Sequence, residues 1–509
     1  MSIRIVLDKP PEFYTNLDFI SGRVVLWLNR SESIGNVIVK LEGESRTALT
    51  VPMADRDDYG DIVTENHKIL YRVFQVYPDD GASVTFDPGQ HEFKFNFKVP
   101  LNNICHDPKA MGALIGIGGI GGSFRTMDGT KQLMLQHVRA TLPPSLTGFP
   151  QEAEIRYYIK VTIQRPGLFK ENWRYQTGFK FLPIEPPRPA KTNQEAFARR
   201  PFAFRPRTAA AQRRSFFGGL SRQPSTPQLD ESNQSPPPSI EMSARIPFPT
   251  ILTCNEPLPL RLIAKKIAPV SEQVYLTALE IDLIGYTQVR VQNFTNVERT
   301  VWVVVSAPNL SIPLGNPDDA IDTEFEVPSS LWEARRLPNT IAPTFRTCNL
   351  ARRYEIELKL TLSWGLSTSP PSLSWGAAAA RGPQPQTIHL PLKLSNVEVY
   401  SGIKPPAALL QSVSYPSAHA NPNPNRPPRP PPRPANPNAP APPQRPPQDP
   451  LYPPQLGPGN VIPPYDDAPP SYDEAMADTV VVSQERPAYS GVTAENAPST
   501  MPPEKSSRG

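Results

Sequence analysis

Apolar and polar residues alternate at a period of two in segment after segment of this chain, which commits those segments to half-buried β-strands. In "HEFKFNFKVP", Phe93, Phe95, Phe97 and Val99 fall on one face, and Glu92, Lys94, Asn96 and Lys98 fall on the other. In "RYYIKVTIQ", Tyr157, Ile159, Val161 and Ile163 alternate with Tyr158, Lys160, Thr162 and Gln164. The segments "LEIDLIG" and "YEIELKLTL" in the carboxyl half keep the same period. Helical periodicity is scarce, so the fold class read from pattern is all-β.

The alternating segments recur as a set. "VIVKLEG", with Val39, Leu41 and Gly43, matches "LEIDLIG", with Ile281, Leu283 and Gly285. "FKVP" from Phe97 matches "FEVP" from Phe325, and "RYYIKV" from Arg156 matches "RYEIEL" from Arg353. Three markers in one order indicate a duplicated β-sandwich. The first copy carries about 14 extra residues before its FxVP and about 31 after it. The second excess falls on "MGALIGIGGIGGSFRTMDGTKQ", which reads as a loop insertion. Gly116, Gly118 and Gly121 within it spell GxGxxG, but no parallel strand precedes them and no helix follows, so a pyrophosphate cradle is not expected.

These markers, together with "GRVVLWLNRSESIGNVIVKLEG" at 22–43 and "IQRPGLFKENWRYQTGFKFLPIEPPRP" at 163–189, resemble the arrestin fold, and the chain is similar to the fungal α-arrestins, arrestin-domain proteins with a PY-motif tail. The resemblance covers residues 1 to about 187 and 244 to about 400. It implies two tandem antiparallel β-sandwiches joined by a hinge, without enzymatic activity. Two features depart from that pattern: the glycine-rich insertion, and a hinge of about 55 residues. The phosphate-sensing residues of visual arrestins are not placed on this sequence.

Composition limits how much of the 509 residues folds, because 67 prolines leave long stretches unable to bury enough apolar surface to offset ordering entropy. The expected organisation is an amino-terminal sandwich at 1–187, a disordered basic hinge at 188–243, a second sandwich at 244–400 and a disordered proline-rich tail at 401–509. Domains of about 150 residues or more bury near 70% of their unfolded surface, so each half is large enough to fold by itself.

The tail contains "NPNPNRPPRPPPRPANPNAPAPPQRPPQDP", which favours the extended polyproline II conformation. Beyond it, Pro469, Pro470 and Tyr472 form PPxY among five acids and no base over residues 460–480. WW domains grip such a segment through an aromatic-lined groove for the prolines and a pocket for the tyrosine. In the family it resembles, PPxY implies docking of a HECT-type ubiquitin ligase. "RPAY" at Arg486–Tyr489 has one proline and ranks as an auxiliary WW contact, as does Pro463–Pro464–Tyr465. A second weak site raises avidity through effective concentration. Three PxxPxR matches, ending at Arg429, Arg433 and Arg445, leave SH3 domains open as alternative readers.

The hinge holds nine basic residues against Glu195 over 188–222. Arg199, Arg200, Arg205, Arg207, Arg213 and Arg214, interleaved with Phe202, Phe204, Phe216 and Phe217, suit either a solvated linker or contact with cargo or an anionic bilayer. Nucleic acid is disfavoured because neither flanking body reads as a nucleic-acid module. Arg222, Ser225 and Pro227 spell RxxSxP, a candidate 14-3-3 site once Ser225 is phosphorylated. Lys265 and Lys266 are candidate ubiquitin acceptors.

No Ser/His/Asp order or metal-ligand spacing stands out, the three cysteines are far apart, and Cys105 beside His106 has no orienting carboxylate. No cofactor is expected. The amino terminus lacks a signal-peptide pattern, and the uncharged apolar run "GALIGIGGIGGSF" falls short of the roughly 20 residues that span a bilayer. The expected function is an adaptor that recruits a HECT ligase to plasma-membrane transporters or receptors, acting from the cytoplasm at the plasma membrane and endosomes. A signalling scaffold gathering SH3 proteins on the proline tract is the alternative.

Overall fold

The structure, a computed structural model, describes residues 1–51, 60–77, 83–104, 138, 140–149, 152–167, 170–206, 237–269, 272–366, 385–407, 409–410, 486–491, 493 and 495. The described residues up to Pro405, together with 486–491, Thr493 and Glu495, belong to one compact unit, and Pro406, Ala407, Leu409 and Leu410 belong to another. In the second unit, the Leu409 and Leu410 N–H groups donate to the Pro406 carbonyl.

The first sandwich runs through β1 (Ser2–Leu7), β2 (Phe19–Leu28), β3 (Glu32–Ile34), β4 (Asn36–Val51), β5 (Asp61–Tyr77), β6 (Val84–Phe86), β7 (Gly89–Lys98), β8 (Leu146–Phe149), β9 (Ala153–Gln164) and β10 (Trp173–Phe179). One sheet has the order β1-β2-β7; the other has the order β10-β9-β4-β5, with β8 on β9 and β3 pairing β6 apart. All these pairs are antiparallel. The alternation works as read: Phe93, Phe95, Phe97 and Val99 are buried against Val39, Leu41, Ile159 and Val161 in one apolar cluster.

The second sandwich continues with β11 (Glu195–Ala203), β12 (Ser239–Pro247), β13 (Ile251–Thr253), β14 (Arg261–Lys266), β15 (Val274–Val291), β16 (Phe294–Ala307), β17 (Ile312–Pro313), β18 (Glu324–Glu326), β19 (Phe345–Arg346), β20 (Leu350–Trp364) and β21 (Gln386–Tyr400). Its sheets have the orders β11-β12-β14-β18 and β13-β21-β20-β15-β16, with β17 on β15 and β19 on β20. Only β13 with β21 pairs parallel among these. The repeat seen in sequence is thereby a repeat of pairing. β4 lies between β9 and β5 as β15 lies between β20 and β16, and each FxVP leaves an edge strand, β7 or β18.

One boundary differs from the sequence expectation. Residues 188–243 read as hinge, yet Glu195–Ala203 pairs along its whole length with Ser239–Pro247, so the second sandwich begins at Glu195. The strand was hidden by Pro201 and by paired arginines. Both are tolerated because β11 is an edge strand, where a missing N–H and outward charges do not interrupt a ladder.

The matched glycines explain themselves in register. Gly43 stands opposite Tyr157, and Gly285 stands opposite Tyr354. Each tyrosine hydroxyl donates to a backbone carbonyl just upstream, Pro143 in the first copy at 2.7 Å and Ala342 in the second. A Cβ on Gly43 would sit 2.8 Å from the Tyr157 ring and 2.9 Å from Leu70 Cβ, both buried. Replacing Gly43→Ala is expected to destabilise the fold by about 1–3 kcal/mol through overpacking, measured as a lowered urea midpoint at unchanged m-value.

Candidate functional site

Two long strands carry the sandwiches into contact. The end of β4 and the start of the buried part of β5 meet the end of β15 and the turn before β20, and Val289, Ala342 and Leu350 of the second sandwich join the apolar cluster of the first. Polar side chains finish this seam. Asn349 accepts from Ser45 Oγ at 2.6 Å and donates through its amide to the Ser45 carbonyl at 3.2 Å and to Thr47 Oγ1 at 3.1 Å. Thr47 Oγ1 in turn donates to the Arg290 carbonyl at 2.8 Å. Buried donors and acceptors are met group by group, as the low-dielectric setting demands.

At the centre stands Glu65, 3% exposed. Its carboxylate bonds His67 Nε2 at 2.6 Å and accepts from Arg290 Nη2 at 2.9 Å and from the Gln292 N–H at 2.5 Å. Burial by itself raises a carboxyl pKa, but the His67, Gln292 and Arg290 contacts outweigh it and hold Glu65 below its ordinary value. His67 shows the mirror case: burial lowers its pKa, and Cys348 and Glu65 more than compensate, so the imidazole holds its proton above the ordinary value. Arg290 also donates through Nε to the Cys348 carbonyl at 3.0 Å.

A second cation lies further along the seam. By the matched markers, Arg352 takes the place that Ile155 holds in the first copy, and both are buried. Arg352 is 1% exposed, and its guanidinium has Trp302 at 4.9 Å, Tyr354 at 5.2 Å and Phe149 of the first sandwich at 5.9 Å from its centre. It donates to Thr287 Oγ1 and, at 2.9 Å, to the carboxylate of Glu495. Gly285 is what admits it, since a Cβ there would fall 2.5 Å from Nη2.

The residues proposed from sequence are distributed otherwise. Arg199 and Arg200 are exposed on β11 and Arg205 is exposed just after it; Arg199 lies over the Phe197 ring at 5.2 Å. Phe204, read as part of an aromatic surface, directly follows β11 and is instead 2% exposed and packed on Trp364. On β14, Lys265 pairs with Asp322 at 2.8 Å, and Lys266 donates to the Pro317 and Asp319 carbonyls. Arg207, Arg213, Arg214, the Arg222, Ser225 and Pro227 motif, the glycine-rich insertion, Cys105 with His106, the PxxPxR matches, Pro463–Tyr465, and Pro469, Pro470 and Tyr472 lie outside the described residues. Among the described residues, no group of three or more His, Cys, Asp or Glu is placed to hold a metal ion, and no helix is long and apolar enough to cross a membrane. Sequence reasoning missed Glu65, His67, Arg290, Arg352 and Glu495. The one signal available was an arginine at an inward position of an alternating strand.

Comparison with known proteins bears on the first sandwich. The family described as the arrestin (or S-antigen) N-terminal domain matches residues 3–107. Residues 3–107 thus resemble an arrestin amino-terminal domain. The chain is similar to two proteins named arrestin-related trafficking adapter 10. It is 29% identical to the one from Lachancea thermotolerans over 129 residues, 20% of this chain and 28% of that protein. It is 28% identical to the one from Candida glabrata over 119 residues, 20% of this chain and 24% of that protein. The chain thus spans about a quarter of the length of these curated relatives. The fungal α-arrestin resemblance read from the strand markers is supported by both findings.

The directions in which His67 and Glu65 are shifted set the pH response expected of the seam. His67 is raised above its ordinary value of 6.5, so its contribution is complete below that pH and is lost as pH rises through the folded-state value. Glu65 is depressed, so its contribution is present above the ordinary carboxyl value and is lost in acid as its folded-state value is crossed. Unfolding free energy measured by urea titration is expected to decline as pH rises above 6.5. That decline should flatten in His67→Gln, where neither Glu65 nor Cys348 faces a titrating ring.

Proposed function

We propose that this protein is an arrestin-related adaptor that brings a HECT-type ubiquitin ligase to membrane transporters or receptors and so promotes their ubiquitination and internalisation. What carries the reading is the presence of a duplicated arrestin sandwich and a PPxY segment, Pro469, Pro470 and Tyr472, in one chain. Relatives named trafficking adapters support the adaptor class. The division of labour follows from chemistry: rigid sandwiches present loops and sheet edges to a folded cargo, while the extended proline segment offers a WW groove a partly pre-ordered ligand. Bond-making belongs to the ligase, so the adaptor itself carries out no catalysis.

Arg199, Arg200 and Arg205, exposed beside the connector, supply positive charge for an anionic membrane face or an acidic cargo segment. Phosphorylation of Ser225 would invert charge within that connector and create a 14-3-3 ligand. Of the two acceptor lysines, Lys265 is the better presented, because the Lys266 ammonium is taken up by two backbone carbonyls. The protein then works in the cytoplasm and joins cargo at the plasma membrane and endosomes.

Full-length wild type and Tyr472→Ala are compared for binding to a WW-domain array from a HECT ligase and for cargo internalisation in cells. Affinity is expected to fall at least tenfold in the variant, about 1.4 kcal/mol, with internalisation reduced in parallel. Equal binding and equal internalisation overturn the reading. If deletion of residues 422–447 instead abolishes partner capture, the SH3 scaffold replaces it.

A further inference from the structure

The RPAY segment, Arg486–Tyr489, is occupied in this molecule. Arg486 donates through Nη2 to Asp18 of the first sandwich at 2.6 Å, a carboxylate already fixed by the Thr15 N–H at 2.8 Å. The Tyr489 ring packs against Phe13 at 5.8 Å under the Lys180 ammonium, and its hydroxyl accepts from Lys180 Nζ at 2.9 Å. One residue on, the chain crosses to the second sandwich. Asn339 donates its backbone N–H to Ser490 Oγ at 3.1 Å and its side-chain amide to the Ala488 carbonyl at 2.9 Å, while the Ser490 N–H donates to Asn339 Oδ1 at 2.7 Å.

Glu495 closes the path. Its carboxylate meets the buried Arg352 guanidinium at 2.9 Å, and its carbonyl accepts from the Thr147 N–H of the first sandwich at 2.9 Å. Gly148 gives the segment its space, since a Cβ there would lie 2.6 Å from Glu495 Cα. Among the described residues, Glu495 is the carboxylate paired with Arg352, and it comes from 143 positions away in sequence. A guanidinium placed where the first copy has an isoleucine is costly in isolation and tolerable with a partner.

We propose that residues 486–491, with Thr493 and Glu495, are an intramolecular ligand that straps the two sandwiches together, and that the seated strap withholds Tyr489 from WW-type readers. The seat recognises four things: an arginine at Asp18, an aromatic hydroxyl between Phe13 and Lys180, a main-chain stretch at Asn339, and a carboxylate at Arg352. A WW pocket needs the same tyrosine ring that the seat holds, so the two readers exclude each other. The masking half rests on the WW-ligase reading above; the strap does not.

The test uses the full chain carrying Tyr472→Ala, alone or with Glu495→Gln and Asn339→Ala, which loosen the seat and leave RPAY intact. In hydrogen exchange, the Ser490 and Thr147 amides are expected to exchange at least tenfold more slowly in the parent than in the loosened variant. A Ser490 amide that exchanges in the parent as fast as in a synthetic peptide of residues 483–497 overturns the strap. For masking, a WW-domain probe is expected to bind that peptide at least tenfold more tightly than the parent chain, with the loosened variant matching the peptide. Equal binding by peptide and parent overturns masking, and a peptide that fails to bind removes RPAY as a WW ligand while the exchange result still decides the strap.

Discussion

Burying the Glu65 carboxylate between two domains is the constraint around which the seam is organised. A charge this far from water persists only with its hydrogen-bonding capacity met and opposite charge at hand. Here the donors come from both sandwiches: His67 from the strand that carries Glu65, Arg290 and the Gln292 N–H from the other body. Sliding one sandwich against the other would break these bonds together. Such a cluster is a poor source of net stability compared with apolar packing, but it strongly disfavours alternative registers. The apolar contacts of Val289 and Leu350 supply attraction, and Glu65 supplies geometry.

The duplication shows how one strand plan has been put to two uses. Both copies keep a glycine opposite a tyrosine, with the tyrosine hydroxyl tied to a carbonyl at Pro143 or Ala342. In the first copy the space beside the glycine is filled by the Tyr157 ring; in the second it receives the Arg352 guanidinium. That exchange converts a position of plain core packing into one that requires a carboxylate. At this matched position the second sandwich depends on a residue outside itself, and the first does not.

The outer face of the first sandwich departs from simple alternation for a related reason. Glu42 points away from the core yet is 1% exposed, because Lys68 and the Tyr158 hydroxyl close over it, with Arg156 on the neighbouring Glu44. Glu44 is depressed below the carboxylate range: burial opposes this, and Lys68 and Arg156 overcome it. A polar residue at an outward position predicts exposure only when its cross-strand neighbours are small or diverging. Long side chains of opposite charge on adjacent strands cover one another.

The sequence by itself determined the all-β class, the two-copy plan and which strand faces are apolar, because a period of two and a repeated glycine marker depend on local geometry alone. It also displayed the PPxY segment, whose recognition requires an extended chain and no fold. The tertiary structure decided the rest. It moved the start of the second sandwich to Glu195, since edge strands tolerate the proline and arginines that disguise them. It brought Glu65 to Arg290 across 225 positions and Glu495 to Arg352 across 143. Pairings at such separations leave no trace in local pattern. A buried charge is defined by the partner that folding delivers to it, and no spacing rule within one strand names a partner on another body.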